Sequence, residues 1–163
     1  QGKNRAPRDH NRDYDANALY PETRALQEYV PKWSDGKLRV ALDIHCPHIR
    51  GATNEKIYLV GSQDAAMHGK QESFSRILEK VRKGPLPYLA SNNIPFGTSW
   101  NTAASFKAGT TGARWAASIP GNDLAATFEL PYANASGAEV NAESARAFGR
   151  DLATAIRDYL EAP

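Results

Sequence analysis

The chain has 163 residues, of which 41% are hydrophobic and 23% charged, and its formal net charge is +2. This size and composition fit one globular domain with a core rather than a disordered chain, and so small a charge gives no reason to expect nucleic acid or an anionic membrane as a partner. The single cysteine excludes an internal disulfide, and no apolar run approaches the ~20 residues that a membrane-spanning helix needs.

The first 16 residues are polar and carry charges of both signs. One interpretation is an arm that lies in solvent. The other is an anion-binding segment formed by Arg5, Asn11 and Arg12, because guanidinium groups hold carboxylates through paired hydrogen bonds. The chain begins with Gln rather than Met and has no recognisable signal peptide, so we expect it to start after the native translation start.

Hydrophobic periodicity then predicts interleaved helices and strands. In chain order these are a helix from Pro21 to about Val30, strands at 38–46 and 57–61, a helix from about Gln71 to Val81, a strand at 124–130 and a helix over about 142–160. Residues 84–122 are rich in Gly, Pro, Ser, Thr and Asn, which is typical of an irregular or functional region. The order of elements predicts an α/β fold with a mixed sheet flanked by helices.

Apolar side chains recur at helical spacing in each predicted helix. In the first helix they are Leu26, Tyr29 and Val30. In the second they are Phe74, Ile77, Leu78 and Val81. In the last helix, which Asn141 can cap, they are Ala145, Phe148, Leu152, Ile156 and Tyr159. We expect these stripes to face the core.

The strands 38–46 and 124–130 end in the same way. Each alternates, each places one reactive side chain near its end, and each is closed by a proline two residues later: the side chains are those of His45 and Glu129. Ligands bind outside the carboxyl ends of strands in open α/β sheets. The two side chains are therefore expected to converge on one site, the alternative being that both simply mark the boundary with water.

Two neighbours of His45 have more than one interpretation. Asp43 falls on the same strand face and could orient a histidine that binds a metal, or it could form a salt bridge with Arg39. Cys46 could be a soft metal ligand, a reactive thiol or a small packed residue.

Taken in order, four segments resemble the zinc metallocarboxypeptidase family. They are an arginine followed by the D-x-N-R motif at 9–12, the strand DIHCP at 43–47, the strand TFEL at 127–130 and the closing helix SARAFGRDLATAIRDYL at 144–160. The resemblance spans nearly the whole chain. It implies the phosphorylase/hydrolase-like α/β fold of that family and a zinc-dependent hydrolase that removes C-terminal residues from peptides.

The resemblance also implies the roles of particular residues. His45 would be a zinc ligand, and Glu129 would be the general base that takes a proton from the metal-bound water and later protonates the leaving amine. Arg5, or alternatively Arg8, would polarise the scissile carbonyl and stabilise the oxyanion.

Recognition of the substrate is implied in the same way. Asn11 and Arg12 would hold the C-terminal carboxylate of the substrate, which makes the enzyme an exopeptidase. The stretch before the catalytic strand lines the side-chain pocket in this family, and Arg114 there would favour an acidic C-terminal residue such as Glu through charge pairing. The other interpretation of Arg114 is a side chain that faces solvent.

One feature of the family is missing. Its other two zinc ligands come from an H-x-x-E motif upstream of the arginine motifs, and a catalytic zinc generally needs three protein ligands. Residues 1–163 are therefore expected to be the C-terminal portion of a single catalytic domain, inactive alone, whose partner is the missing N-terminal segment. Many such relatives work outside the cytoplasm, so an extracytoplasmic setting is favoured.

Two other functions stay open. A deacylase or amidase on the same scaffold would act on N-acyl amino acids or cell-wall peptides, and the same clamp would hold a free carboxylate. A non-catalytic module would bind a carboxylate without hydrolysing anything. A panel of peptides and N-acyl amino acids separates the carboxypeptidase from the deacylase or amidase, and zinc titration separates both enzymes from the binding module.

Overall fold

A computed structural model of the chain describes residues 6–162, and in this part the fold is α/β with a small mixed sheet, as predicted. The helices are α1 (Pro21–Ser34), α2 (Ala65–Val81), α3 (Gly112–Ala117) and α4 (Ala142–Glu161). The strands are β1 (Val40–His45), β2 (Tyr58–Val60), β3 (Leu124–Glu129), β4 (Asn134–Ala135) and β5 (Ala138–Glu139). Within residues 6–162, no helix combines the length and the apolar character that crossing a membrane requires.

The central sheet has the strand order β1-β3-β2, with β1 parallel and β2 antiparallel to β3. Its register is fixed near the start of the strands, where Gly121 approaches Gly36 so closely that a Cβ on Gly121 would lie 2.3 Å from the Gly36 carbonyl oxygen. The backbone N–H groups of Asp123 and Leu124 both donate to the carbonyl of Arg39. From this anchor the pairing runs to the other end of the strands, where His45 pairs with Glu129.

The core lies between the sheet and the helices α2 and α4. Its largest fully buried side chains include Phe74 of α2, Phe128 of β3 and Phe148 of α4. The rings of Phe74 and Phe128 meet edge to face with centroids 6.2 Å apart, a favourable aromatic geometry. The predicted stripe of α2 is confirmed, because Phe74 and Leu78 are buried and the other two members pack against the same cluster.

Three predicted helices differ from the structure in detail. α1 continues through Pro31, which removes one backbone hydrogen bond but permits helical φ, and it ends only where Asp35 adopts a left-handed φ of 48°. α2 begins at Ala65 rather than near residue 71, because the Asp64 side chain caps it. α4 has the predicted boundaries and cap, but Ala145 is exposed.

The predicted stripe of α1 is wrong in its orientation. Leu26 and Tyr29 are both exposed, and Val30 is half-buried. The structure also contains a short helix and a hairpin that periodicity did not predict. α3 is capped by the Thr111 side chain, and the β4–β5 hairpin turns through Ser136 and Gly137, both at positive φ.

The amino-terminal segment, where described, is not an arm in solvent. The Asp13 side chain is fully buried and accepts hydrogen bonds from the backbone N–H groups of Leu19 (2.8 Å) and Tyr20 (3.0 Å). Arg8 Nη1 lies 3.2 Å from the same carboxylate. Burial opposes ionisation of Asp13, but these hydrogen bonds and the charge of Arg8 hold its pKa below the usual range. Asp13 therefore ties the segment to α1.

Candidate active site

His45 and Glu129 lie side by side at the ends of two neighbouring strands. The strands are parallel and in register at this pair, so both side chains project from the same face of the sheet. His45 Nε2 is 3.2 Å from Glu129 Oε1 although the residues are 84 positions apart in the chain. The Glu129 side chain is 3% exposed and that of His45 is 22% exposed. The structure thus brings together the two residues that strand alternation had singled out.

Asp43 fixes the orientation of the His45 ring. Its Oδ1 is 2.9 Å from His45 Nδ1, and its Oδ2 accepts hydrogen bonds from Asn11 Nδ2 (3.0 Å) and Thr127 Oγ1 (3.4 Å). The alternative pairing of Asp43 with Arg39 is not the one in the structure, which engages this carboxylate with His45. Because Nδ1 is held by Asp43, Nε2 is the ring nitrogen turned toward Glu129 and the cleft.

The two carboxylates control the charge of His45. Burial opposes the imidazolium, but hydrogen bonds and charges from Asp43 and Glu129 outweigh it and raise the pKa of His45 to about 9. Burial would likewise raise the pKa of Asp43, yet the hydrogen bond and charge of His45, with hydrogen bonds from Asn11 and Thr127, hold that pKa below its usual range. The site is therefore a strongly coupled cluster rather than three independent side chains.

Asn11 and Arg12 reach the cleft from a short 3₁₀ turn, His10–Arg12. The Asn11 amide donates to Asp43, and its carbonyl oxygen accepts from Gly112 N–H at 2.8 Å, so Asn11 joins the turn to β1 and α3. Arg12 donates through Nε to the backbone carbonyl of Ser105 (3.0 Å) and through Nη1 to the backbone carbonyl of Asn11 (2.6 Å). Both residues line the same cleft as His45, and both already hydrogen-bond to other groups of the protein.

The remaining predicted arginines have different positions. Arg114 lines the cleft from α3, with its guanidinium 5.9 Å from the Phe106 ring centroid, while Arg12 lies 6.0 Å from the same centroid. Arg8 Nη1 is engaged by Asp13 and Asp15, and Arg8 is not among the described residues that line the cleft. Arg5, the first candidate for the catalytic arginine, lies outside the described residues.

The cleft has a volume of about 1200 Å³ and contains residues that sequence reasoning missed. Tyr58 pairs with Glu129 across the sheet, so His45, Glu129 and Tyr58 form one row on three adjacent strands. Burial and the charge of Glu129 raise the pKa of Tyr58 against hydrogen bonds with Thr53 and Trp100. Tyr132 could have been found from the sequence, since it directly follows the proline that closes the strand of Glu129. The position of Tyr58 in the cleft could not, because it depends on the pairing of β2 with β3.

His45 is the candidate metal ligand among the described residues. No group of three or more His, Cys, Asp or Glu side chains within 6–162 is arranged to hold a metal ion. His45 nevertheless has the chemistry of a single ligand, because one ring nitrogen is held by a carboxylate and the other faces the cleft. Cys46 forms no disulfide and is half-buried, and it is not among the described residues that line the cleft.

The comparisons with known proteins add no relative. No protein-family model, no curated protein and no solved structure matches the chain.

Proposed function

We propose that the chain is the C-terminal part of a zinc-dependent carboxypeptidase domain, which a further polypeptide segment with two metal ligands completes. The observation that carries this proposal is the pair of His45 and Glu129, 3.2 Å apart in a cleft that guanidinium groups also line. A buried carboxylate next to an imidazole whose other nitrogen is held by Asp43 suits hydrolysis of an amide.

The residues of this chain would share the work as follows. His45 Nε2 would hold the zinc, and zinc, when bound, supplies a Lewis acid that makes water a better nucleophile near neutral pH. Glu129 Oε1 accepts the proton of the attacking water and returns it to the leaving amine. Asp43 holds the imidazole in position. Arg12 attracts the free carboxylate of the substrate, so cleavage is restricted to the last residue.

The outer edge of β1 is the place where a completing segment would join. Among the described strands β1 pairs only with β3, and Ile44 on it is exposed. A groove of about 570 Å³ follows β1. Its apolar lining includes Val30, Leu38, Leu42, Ile44 and Trp115. An unpaired edge with apolar side chains beside it is a template for another strand, and a strand added there would lie next to His45.

Complementation tests the proposal. The 163-residue chain would be mixed with a polypeptide that carries the H-x-x-E motif, and zinc content and release of a C-terminal amino acid would be measured. We expect one zinc and release only in the mixture, and only from peptides with a free C-terminal carboxylate. His45→Ala should abolish zinc uptake, whereas His48→Ala, which alters a cleft-lining histidine three residues on, should not.

Three results would contradict this function. Robust release by the 163-residue chain alone would show that no completing segment is needed. Equal cleavage of amidated and free peptides would remove the exopeptidase assignment. Zinc uptake by neither sample, with retained binding of carboxylates, would favour a binding module.

Arg114 gives a separate prediction about substrate choice. Its exposed guanidinium in the cleft favours a substrate whose last side chain is acidic, through a solvent-screened charge pair. In the completed enzyme, Arg114→Ala should lower the ratio of kcat/KM for C-terminal Glu over Leu by about 2- to 5-fold. The control is Arg146→Ala on the exposed face of α4, which should leave the ratio unchanged. An unchanged ratio in Arg114→Ala would eliminate this role.

A deacylase or amidase is the second candidate. The observation that favours it is the apolar part of the cleft lining, which contains the large exposed side chains of Ile49, Trp100 and Tyr132. Such a lining suits an acyl group as well as a peptide. Rates on N-acyl amino acids and on peptides of matched C-terminal residue would separate the two candidates.

A further inference from the structure

Three large apolar side chains are exposed inside the cleft. Ile49, Trp100 and Tyr132 are 62%, 40% and 58% exposed, and all three line the cleft that contains His45 and Glu129. They come from three separate loops, which follow β1, precede α3 and follow β3. Exposed apolar groups gathered at one concave site indicate a ligand with an apolar part.

Trp100 lies in a tight turn whose backbone is strained at the preceding residue, Ser99. The chain reverses at Thr98–Asn101, where Asn101 N–H donates to the Thr98 carbonyl at 3.0 Å. Ser99, the residue just before Trp100, has φ of 51°, a conformation that favours glycine. Strained turns of this kind persist where surrounding contacts enforce them, and they concentrate at binding sites.

Asn101 supplies the contacts that enforce the turn. Its side chain is fully buried, and Nδ2 donates to the carbonyls of Gly61 (2.9 Å) and Ile94 (3.0 Å). The backbone carbonyl of Asn101 accepts a hydrogen bond from Gly97 N–H at 2.8 Å. The turn is therefore anchored to the end of β2, and the indole next to it is held in the cleft instead of being drawn into the core.

The backbone of Trp100 is linked to the cationic part of the cleft through Ser105. Arg12 Nε donates to the Ser105 carbonyl, and Ser105 Oγ donates to the Trp100 carbonyl at 2.5 Å. Arg12 and Arg114 both lie against the Phe106 ring. Trp100, Arg12 and Arg114 all line one cleft, which therefore offers a partner both for a carboxylate and for a flat apolar group of the same ligand.

We infer that Trp100 is a specificity-determining residue that stacks on an aromatic or other flat apolar acyl group of the substrate, so that the preferred ligands are carboxylates that carry an aromatic acyl group. This inference rests on the proposed function for the carboxylate part. The contribution of the indole can be measured without a metal, because neither the turn nor its anchor includes His45 or Glu129, although Trp100 also hydrogen-bonds to Tyr58, the neighbour of Glu129 in the sheet.

The test uses four small probes and the full 163-residue chain. Dissociation constants would be measured by NMR titration for benzoylglycine, acetylglycine and the two corresponding amides. Benzoylglycine should bind roughly tenfold more tightly than acetylglycine, the gain expected from one aromatic contact. Trp100→Ala should reduce this ratio to about one while acetylglycine binds as before, and Trp100→Phe should keep most of the ratio.

The matched control is Trp33→Ala, because Trp33 is 66% exposed on α1 and is not among the residues that line the cleft. It should change none of the four affinities. A benzoyl-to-acetyl ratio near one in the unmodified chain, or a tenfold ratio that survives Trp100→Ala, would overturn the inference. If the acids and amides bind equally while Trp100→Ala still removes the benzoyl gain, the role of Trp100 holds and the carboxylate recognition of the proposed function fails.

Discussion

Glu129→Gln is expected to lower kcat/KM for amide hydrolysis by the zinc-loaded, completed enzyme about 10²- to 10⁴-fold, the usual contribution of a general base. Glutamine has nearly the same shape and can still hydrogen-bond to His45, but it cannot accept a proton from water. Because the Glu129 side chain is 3% exposed, solvent does not readily replace it as a base. Initial rates with C-terminally free peptides give the measurement.

Two further readouts separate a chemical role from a structural one. Zinc content and the unfolding transition of Glu129→Gln should match those of the unmodified enzyme. Glu139→Gln, which alters an exposed carboxylate of β5, should change neither rate nor stability. A rate within fivefold of the unmodified enzyme at full zinc loading would contradict the assignment of Glu129 as the base.

Asp13→Ala is expected to lower the free energy of unfolding by about 2–5 kcal/mol, since it leaves buried donors without partners that cost about 1–3 kcal/mol each. The donors are the backbone N–H groups of Leu19 and Tyr20, and Arg8 loses its ion pair as well. Urea unfolding at pH 7 gives the measurement. Asp158→Ala, on α4, should change stability by less than about 0.5 kcal/mol, and a loss below about 1 kcal/mol in Asp13→Ala would contradict the buried network.

The effect of Asp13 should also depend on pH in one direction. Its folded-state pKa is lowered, so its stabilising contribution is fully present above the unfolded value near 4 and is lost as the pH falls through the folded value. The difference in unfolding free energy between the unmodified chain and Asp13→Ala should therefore shrink below about pH 4. A difference that stays constant to pH 2.5 would contradict this linkage.

The parts of the fold that followed from the sequence are those set by local pattern. Strict alternation predicted which faces of β1 and β3 carry His45 and Glu129, and the Asn141 cap predicted where α4 begins. The direction of the α1 stripe could not follow from periodicity, because periodicity finds a face and not the element that covers it. Leu26 and Tyr29 accordingly recur as in a buried helix and yet are exposed.

The candidate site was likewise predictable from the sequence only where local pattern sets it. Strand ends and prolines indicated His45 and Glu129, but the arm that carries Asn11 is positioned by contacts with Asp43 and Gly112, 32 and 101 residues away. The burial of Asp13 depends on the path of the chain into α1. Contacts of that range are set by tertiary packing, and no spacing within residues 1–16 distinguishes them from a solvated arm.

The close approach of Gly121 to Gly36 makes the chemistry of this protein depend on strand alignment. Side chains alternate between the two faces of a sheet, so sliding β1 by one position against β3 would send the His45 imidazole to the opposite side. Ile44 would then occupy its place beside Glu129 and offer no basic nitrogen. Gly36 and Gly121, at the far end of the strands, thus contribute to the register on which the contact between His45 and Glu129 depends.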